Sequence, residues 1–392
     1  MIKGEFKVNQ LITIFMALIK CELTEQELHE DIAKNITPEI IKKLYSVANR
    51  HSLTHIIASA LDKKGLLEDE EILKPFLKGV FHAVKKQERT ERARKALYAL
   101  LEKEGFSFVP LKGTVLEKLY PSPWMRTRCD TDILVREEDL QRVKEKMVSV
   151  LGYEVKEEKY HDIWLRSPEK VDVELHFSLK EHMEELDKVL VRVWDYVEPI
   201  REGGFEYKMT PEFLLFHLFA HMSYHFKKGG CGVRSIIDIW LLQCQGGFDI
   251  DEVRTLCEEA GIWKFAQSIL ELANIWFEHE QHNQLSLLLE AYIIKNGTYG
   301  SRESKVMATR VEKRGKIRYI WSRMFLPRED LGILFPGLKE RPYLYLYYSV
   351  KHWGKVVKKK KGKAVMAEIK LNNEMKQESI EKLEELFCQL GI

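Results

Sequence analysis

The chain has 392 residues, 45% of them hydrophobic and 31% charged, and its 62 Lys and Arg against 60 Asp and Glu leave a formal net charge of +2. That composition supports a sizeable core in two or three domains, and it excludes a collagen-like chain, a disulfide scaffold and a chain disordered throughout. Overall charge singles out no partner. The apolar stretch Leu11 to Leu18 is short, holds Thr13 and runs into Lys20, Cys21 and Glu22 without a small-residue cleavage site, so no signal peptide is expected. No window reaches the roughly 18 apolar residues of a membrane-spanning helix. Six scattered cysteines (Cys21, Cys129, Cys231, Cys244, Cys257, Cys388) form no C-x-x-C pair and are expected to be reduced thiols of a cytoplasmic protein.

Residues 1–105 read as an N-terminal helical region. Helices are expected near 8–20, 24–33, 38–49, 51–62 and 71–86, with Thr37 as cap and Pro38 in the first helical position of the third. A further apolar stripe, Ala93, Ala96, Leu97, Leu100 and Leu101, recurs at helical spacing and stops at Gly105. The pattern then changes. A strand is expected within Phe106 to Leu111, helix over 113–119, a loop at Pro121-Ser122-Pro123, a strand at Thr131 to Val135, and a helix from Glu137 to Leu151 closed by Gly152. Short strands follow at 153–157 and 162–166. The clearest strand is Val171 to Phe177, which places Val171, Val173, Leu175 and Phe177 on one face and Asp172, Glu174 and His176 on the other.

Residues 106–180 therefore read as a small α/β core with a mixed sheet, set in an α+β chain with helical flanks. A helical domain over 181–300 follows, with strong helices from Thr210-Pro211-Glu212 to Met222 and from Ser235 to Gln243. The remainder, 301–392, is a basic, aromatic-rich helical region ending in an amphipathic helix near 365–389.

The chemistry lies in Leu111-Lys112-Gly113-Thr114, Asp130-Thr131-Asp132 and Val173-Glu174-Leu175. Residues two apart on a strand point the same way, so Asp130 and Asp132 share a face. If the Glu174 strand is their neighbour, three carboxylates converge. Such a cluster is costly without a cation, and its hard oxygens suit Mg²⁺ or Mn²⁺. Metal-bound carboxylates of this kind can hold a triphosphate and stabilise departing pyrophosphate. Gly113 permits close backbone approach to a phosphate, and a helix starting there would aim amides at it. Thr114 could donate a hydroxyl, and Lys112 could add charge if it faces inward.

The order Gly-Thr, Asp-x-Asp, then a carboxylate in an apolar strand resembles the DNA polymerase beta-like nucleotidyltransferase superfamily. Leu-Lys-Gly-Thr, Tyr120-Pro121 with Arg126 and Arg128 before Cys-Asp-Thr-Asp-Ile-Leu-Val, Gly152-Tyr153 and Glu174-Leu175-His176-Phe177 are similar to a bacterial family of largely uncharacterised nucleotidyltransferases. The resemblance spans about 106–178 and weakens outside it. It implies a nucleotidyltransferase core in which Asp130 and Asp132 hold both metals, Glu174 is the third carboxylate and a candidate general base, and Gly113 and Thr114 hold the triphosphate. An NTP, ATP by default, would be the donor. Lys112 departs from the hydrophobic residue common at that place in the superfamily, and the interval from Gly113 to Asp130 is long for its compact members. Asp172 competes with Glu174, because both lie on one strand face between apolar residues.

Other residues are open to two readings each. Arg126 and Arg128 precede the aspartates and either neutralise pyrophosphate or are solvated. Arg234 pairs with Asp238 one helical turn on, or reaches the nucleotide or acceptor. His176 is a substrate neighbour or a structural histidine. His217, His221 and His225 share one helix face, where helix packing, substrate contact by His221 and a zinc site compete. Segment 301–363 carries 18 Lys and Arg against five acids, including Lys358 to Lys361 and Lys363, and holds Tyr343 to Tyr348 and Trp353. It suits an anionic membrane surface, an RNA backbone or a solvated face. The acceptor is a small molecule, a peptide or an RNA end, a tRNA-modifying transferase included. The rival to enzymatic function is a non-catalytic protein that binds RNA or a membrane surface through 301–363.

Overall fold

The computed structural model describes residues 2–67, 70–158, 162–181, 183–278, 280–298, 300–326, 328, 331–332, 335, 337–358 and 361–392. Helices α1 (Ile2–Thr24), α2 (Glu30–Ala33), α3 (Pro38–Arg50), α4 (Thr54–Lys63) and α5 (Glu70–Glu104) form the N-terminal region. Thr37 caps α3 by accepting from the Ile40 amide at 3.4 Å, ahead of Pro38. The helices expected at 71–86 and 93–101 are one: α5 runs 35 residues through Pro75. A proline this close to a helix start forfeits one backbone bond, and the long apolar stripe behind it outweighs that loss. The helix expected over 24–33 is confined to α2, because Glu25 takes a positive φ of 57°.

The sheet is built from β1 (Phe108–Pro110), β2 (Asp130–Val135), β3 (Glu154–Glu158), β4 (Asp162–Arg166) and β5 (Asp172–His176), in the order β1-β2-β5-β4-β3. It is mixed: β2 and β5 run parallel at its centre, and the other pairs are antiparallel. A one-turn helix α6 (Gly113–Leu116) follows β1, and α7 (Leu140–Leu151) links β2 to the β3–β4 hairpin. Strict alternation on β5 sorts the faces. Val173 and Leu175 join Ile133, Val135, Leu97, Leu101, Val143 and Met147 in a core beneath the sheet, leaving Glu174 and His176 on the opposite face.

Helix α8 (Glu184–Leu190) and a short hairpin, β6 (Val197–Pro199) with β7 (Tyr207–Met209), come next. The hairpin is absent from the sequence reading, since three-residue strands leave little periodicity. It caps the free side of β1, where the Phe108 amide donates to the Phe205 carbonyl at 2.9 Å. Helices α9 (Pro211–Lys227), α10 (Val233–Gln245), α11 (Ile250–Glu259), α12 (Trp263–Phe277) and α13 (Gln284–Asn296) follow, and α9 and α10 face the polar side of the sheet across a cleft. Their apolar residues share one continuous core with α1 to α4, the start of α5, and Val109, Leu111 and Leu134 of the sheet region.

The chain ends in α14 (Arg302–Glu312), α15 (Lys316–Met324), α16 (Gly337–Glu340), α17 (Tyr345–Lys358), α18 (Lys361–Glu374) and α19 (Gln377–Leu390). The single helix expected near 365–389 is thus two, broken at Met375-Lys376. Of the lysine run, Lys359 and Lys360 and the side chains of Lys358 and Lys361 lie outside the described residues. Among the described residues, no helix is long and apolar enough to cross a membrane.

Candidate active site

The parallel register sets Asp130 beside Asp172 and Asp132 beside Glu174. These neighbours have different fates. Asp172 is claimed by Arg166 through two bonds of 2.7 and 3.1 Å, whereas Glu174 faces Asp132 and His176. Ligating atoms of Asp132, Glu174 and His176 all lie within 4.8 Å of one another; Asp130 shares their sheet face but is not one of that trio.

Charge is uneven across the cluster. Burial penalises the Asp132 carboxylate, but Lys112 and the hydrogen bond from His176 outweigh that penalty and hold it well below the usual range. Lys112 Nζ is 3.8 Å from Asp132 Oδ2, and His176 Nε2 is 3.2 Å from Oδ1. A carboxylate kept ionised only accepts, so His176 carries its proton on Nε2. Burial and then the Asp132 charge push Asp130 up, and burial followed by Asp132 and Asp130 does the same to Glu174. One carboxylate is fixed as an anion, and its two neighbours are crowded by it.

Lys112 reaches this face because its backbone turns sharply, with φ 45° and ψ −115°. For a residue with a Cβ that conformation costs about 1–3 kcal/mol, a strain found where function demands a particular aim. Helix α6 is only four residues long, so the dipole expected at Gly113 is that of one turn and the isolated amides matter more. Thr114 is buried, and its Oγ1 has no hydrogen-bond partner among the described residues.

The loop arginines are anchored rather than solvated. Arg126 grips Asp238 through Nε and Nη2 at 2.7 Å each, and Tyr120 donates to the same carboxylate at 2.7 Å. Asp238 is therefore held from the loop, and Arg234 donates to the Thr127 carbonyl and hydroxyl. Arg128 pairs with buried Glu117, which also receives Arg94 at 3.2 Å and Gln87 at 3.1 Å. Arg128 Nε and Nη2 remain without a partner among the described residues, although the side chain is buried.

These groups line a cleft of about 520 Å³. Lys112, Gly113, Thr114, Arg126, Arg128 and the carboxylates Asp130, Asp132 and Glu174 form one wall; Arg234, His221 and His225 contribute from α9 and α10. His221 Nδ1 lies 2.8 Å from Glu181, and its ring meets that of His225 edge-on with centroids 4.3 Å apart. His217 is buried below them. Lys228 and Thr298, which carried no signal in the sequence, and Lys305 of the basic 301–363 segment also line it. Thr298 arrives because Gly232 packs so tightly that a Cβ there would lie 2.8 Å from its Cα, and Lys305 because a Cβ at Gly229 would lie 3.1 Å from its Cα.

Residues 37–278 match the family described as uncharacterised nucleotidyltransferase. Among solved structures, the chain is similar to the solution structure of the antibiotic-resistance factor ANT(2'')-Ia, at 12% identity and a TM-score of 0.31, over 47% of this chain and 94% of that one. No curated protein matches it.

Proposed function

The chain belongs to the uncharacterised nucleotidyltransferase family, and on that premise we propose that it moves an NMP group from an NTP to an acceptor hydroxyl and releases pyrophosphate. The observation that carries this reading is the register of the parallel strands, which sets Asp132 against Glu174 on the wall of a cleft. Crowded carboxyls, two of them raised by burial and then by their neighbours, match the demand of Mg²⁺ or Mn²⁺ for hard oxygen ligands. Asp130, Asp132 and Glu174 would hold the metal, which when bound supplies Lewis-acid polarisation of the phosphoryl oxygens.

In this reaction the acceptor oxygen bonds to the α-phosphorus while the bond to the oxygen bridging the β-phosphate breaks, so pyrophosphate leaves with that electron pair. Glu174, set beside Asp132 on the wall of the cleft, takes the acceptor proton. The Thr114 hydroxyl and Nε and Nη2 of Arg128, buried without partners among the described residues, are donors that serve the triphosphate, with Gly113 lining the cleft beside them. Lys112 adds charge beside them, Arg234 stands on the facing wall, and Arg126 sets the loop through Asp238. Six free cysteines suit a cytoplasmic setting.

Calorimetry with ATP, GTP, CTP and UTP, each with and without Mg²⁺, tests the reading on the wild type and on Asp130→Asn/Asp132→Asn. Metal-dependent binding lost in a folded double variant supports it and names the donor. Failure of the folded wild type to bind any NTP overturns it.

A further inference from the structure

The C-terminal helices bury one face and expose another that is also apolar. On α15, Tyr319 is buried, whereas Ile317, Trp321 and Met324 follow at i, i+4 and i+7 on the outer side, with Ile317 74% and Trp321 58% exposed. On α17, Tyr345 and Tyr348 pack against a small core of Leu331, Phe335 and Leu338. Its outer side carries Leu346, 65% exposed, and Val350, 70% exposed, one helical turn apart. The two stripes are neighbours. Tyr345 donates its hydroxyl to the Leu326 carbonyl at 2.7 Å, the Trp353 indole donates to the Met324 carbonyl, and both helices pack on α18, where Met366 is exposed as well.

Cations surround this face. Arg314, Lys316 and Arg318 are exposed around Ile317, and Lys351 follows Val350. Within 301–363 the balance of 18 basic against five acidic residues gives +13.

We propose that this face lies on a bilayer surface containing anionic lipid. Helices of this kind, apolar on one side with a cationic margin, settle at the boundary of headgroups and acyl chains, and their basic residues answer the negative surface potential. The aliphatic share decides against a nucleic acid. Ile317, Met324, Leu346, Val350 and Met366 gain free energy on leaving water, but they offer a base neither a stacking ring nor a hydrogen bond. The contact is peripheral, since no described helix is long and apolar enough to cross. It is independent of the nucleotide chemistry, and its natural consequence is an acceptor met at a membrane.

The full chain is sedimented with vesicles of phosphatidylcholine alone and with about 30% phosphatidylglycerol, at low and high salt. The expected result is binding to the anionic vesicles only, weakened by salt, and reduced at least about tenfold by Ile317→Ser/Trp321→Ser. Leu346→Ser/Val350→Ser on the other helix must act the same way, which keeps the test sound if one variant misfolds. Both variants retain wild-type nucleotide binding. Failure of the folded wild type to bind anionic vesicles overturns the proposal, and so does vesicle binding insensitive to both variants. Retention of single-stranded RNA without vesicle binding overturns it in favour of the nucleic-acid reading.

Discussion

Asp132 remains ionised despite its burial because two side chains face it from different parts of the chain. Lys112 comes from the loop after β1 and His176 from β5. Replacing it with asparagine keeps the shape and removes the charge. Asp132→Asn is expected to abolish nucleotidyl transfer with an unchanged circular dichroism spectrum, and full activity in that variant would remove the carboxylate cluster from the reaction. The third carboxylate is tested by a pair. Glu174→Gln should lower the transfer rate by about a hundredfold or more, while Asp172→Asn should leave it near wild type, because Asp172 serves a partly exposed pair with Arg166. Such pairs are worth about 1 kcal/mol or less. Equal loss in both variants would show that the strand face acts as a unit. Glu117 has a different role. It is a buried anion between Arg94 and Arg128, so Glu117→Ala leaves buried Arg128 without its acidic partner, while Arg94 keeps Glu91, and should cost about 3–5 kcal/mol in urea unfolding.

At this scale the sequence is informative about residue type and silent about aim. The Asp-x-Asp spacing and the alternation around Glu174 place the carboxylates on strand faces without any structure. Nothing local discloses that Arg166 sequesters Asp172, because that choice depends on the β4–β5 register. The inward turn of Lys112 is equally hidden: a strained φ appears in no periodicity.

Elements with a local signature are the legible ones. Caps at Thr37 and Thr210, the stop at Gly152 and the alternation of β5 all depend on residues within a turn or two of the feature. The adjacency of β2 and β5 does not, since α7 and a whole hairpin separate them in sequence. The junction of α3, α10 and α13 is another long-range feature, and it yields a pH prediction. His51 accepts from the Val233 amide at Nδ1, 3.2 Å away, and so must donate from Nε2 to the Ile294 carbonyl at 3.3 Å. His55 likewise donates to the Met125 carbonyl at 2.8 Å. Burial pushes each down to about 4 from the ordinary 6.5. The unfolded chain therefore binds protons that the folded chain refuses, and stability falls as pH drops from 6.5 towards 4. The loss is on the order of 3 kcal/mol per histidine at the low end of that window. Urea midpoints at pH 7 and pH 5 should differ in the wild type, and the difference should shrink in His55→Gln. An unchanged difference in that variant would clear His55 of the effect.

For the whole molecule the sheet is a junction between two cores. Its lower face is completed by Leu97 and Leu101 of α5, which lie before residue 106. Residues Val109, Leu111 and Leu134 belong to the larger core, which they share with helices from both ends of the chain. The division at 105 and 180 marks where the pattern of the sequence changes, and we propose that it does not mark units that fold alone. A fragment of residues 106–180 loses the α5 side chains beneath the sheet and exposes the carboxylate face above it. Two unsatisfied faces on a five-stranded sheet of this size leave too little buried apolar surface to offset the ordering of the chain. The fragment should give collapsed amide resonances and no cooperative urea transition, while the full chain unfolds cooperatively. A dispersed amide spectrum from the fragment would show that the sheet is self-sufficient. The helices would then be additions to a finished core, instead of the support that keeps Asp132 and Glu174 in register.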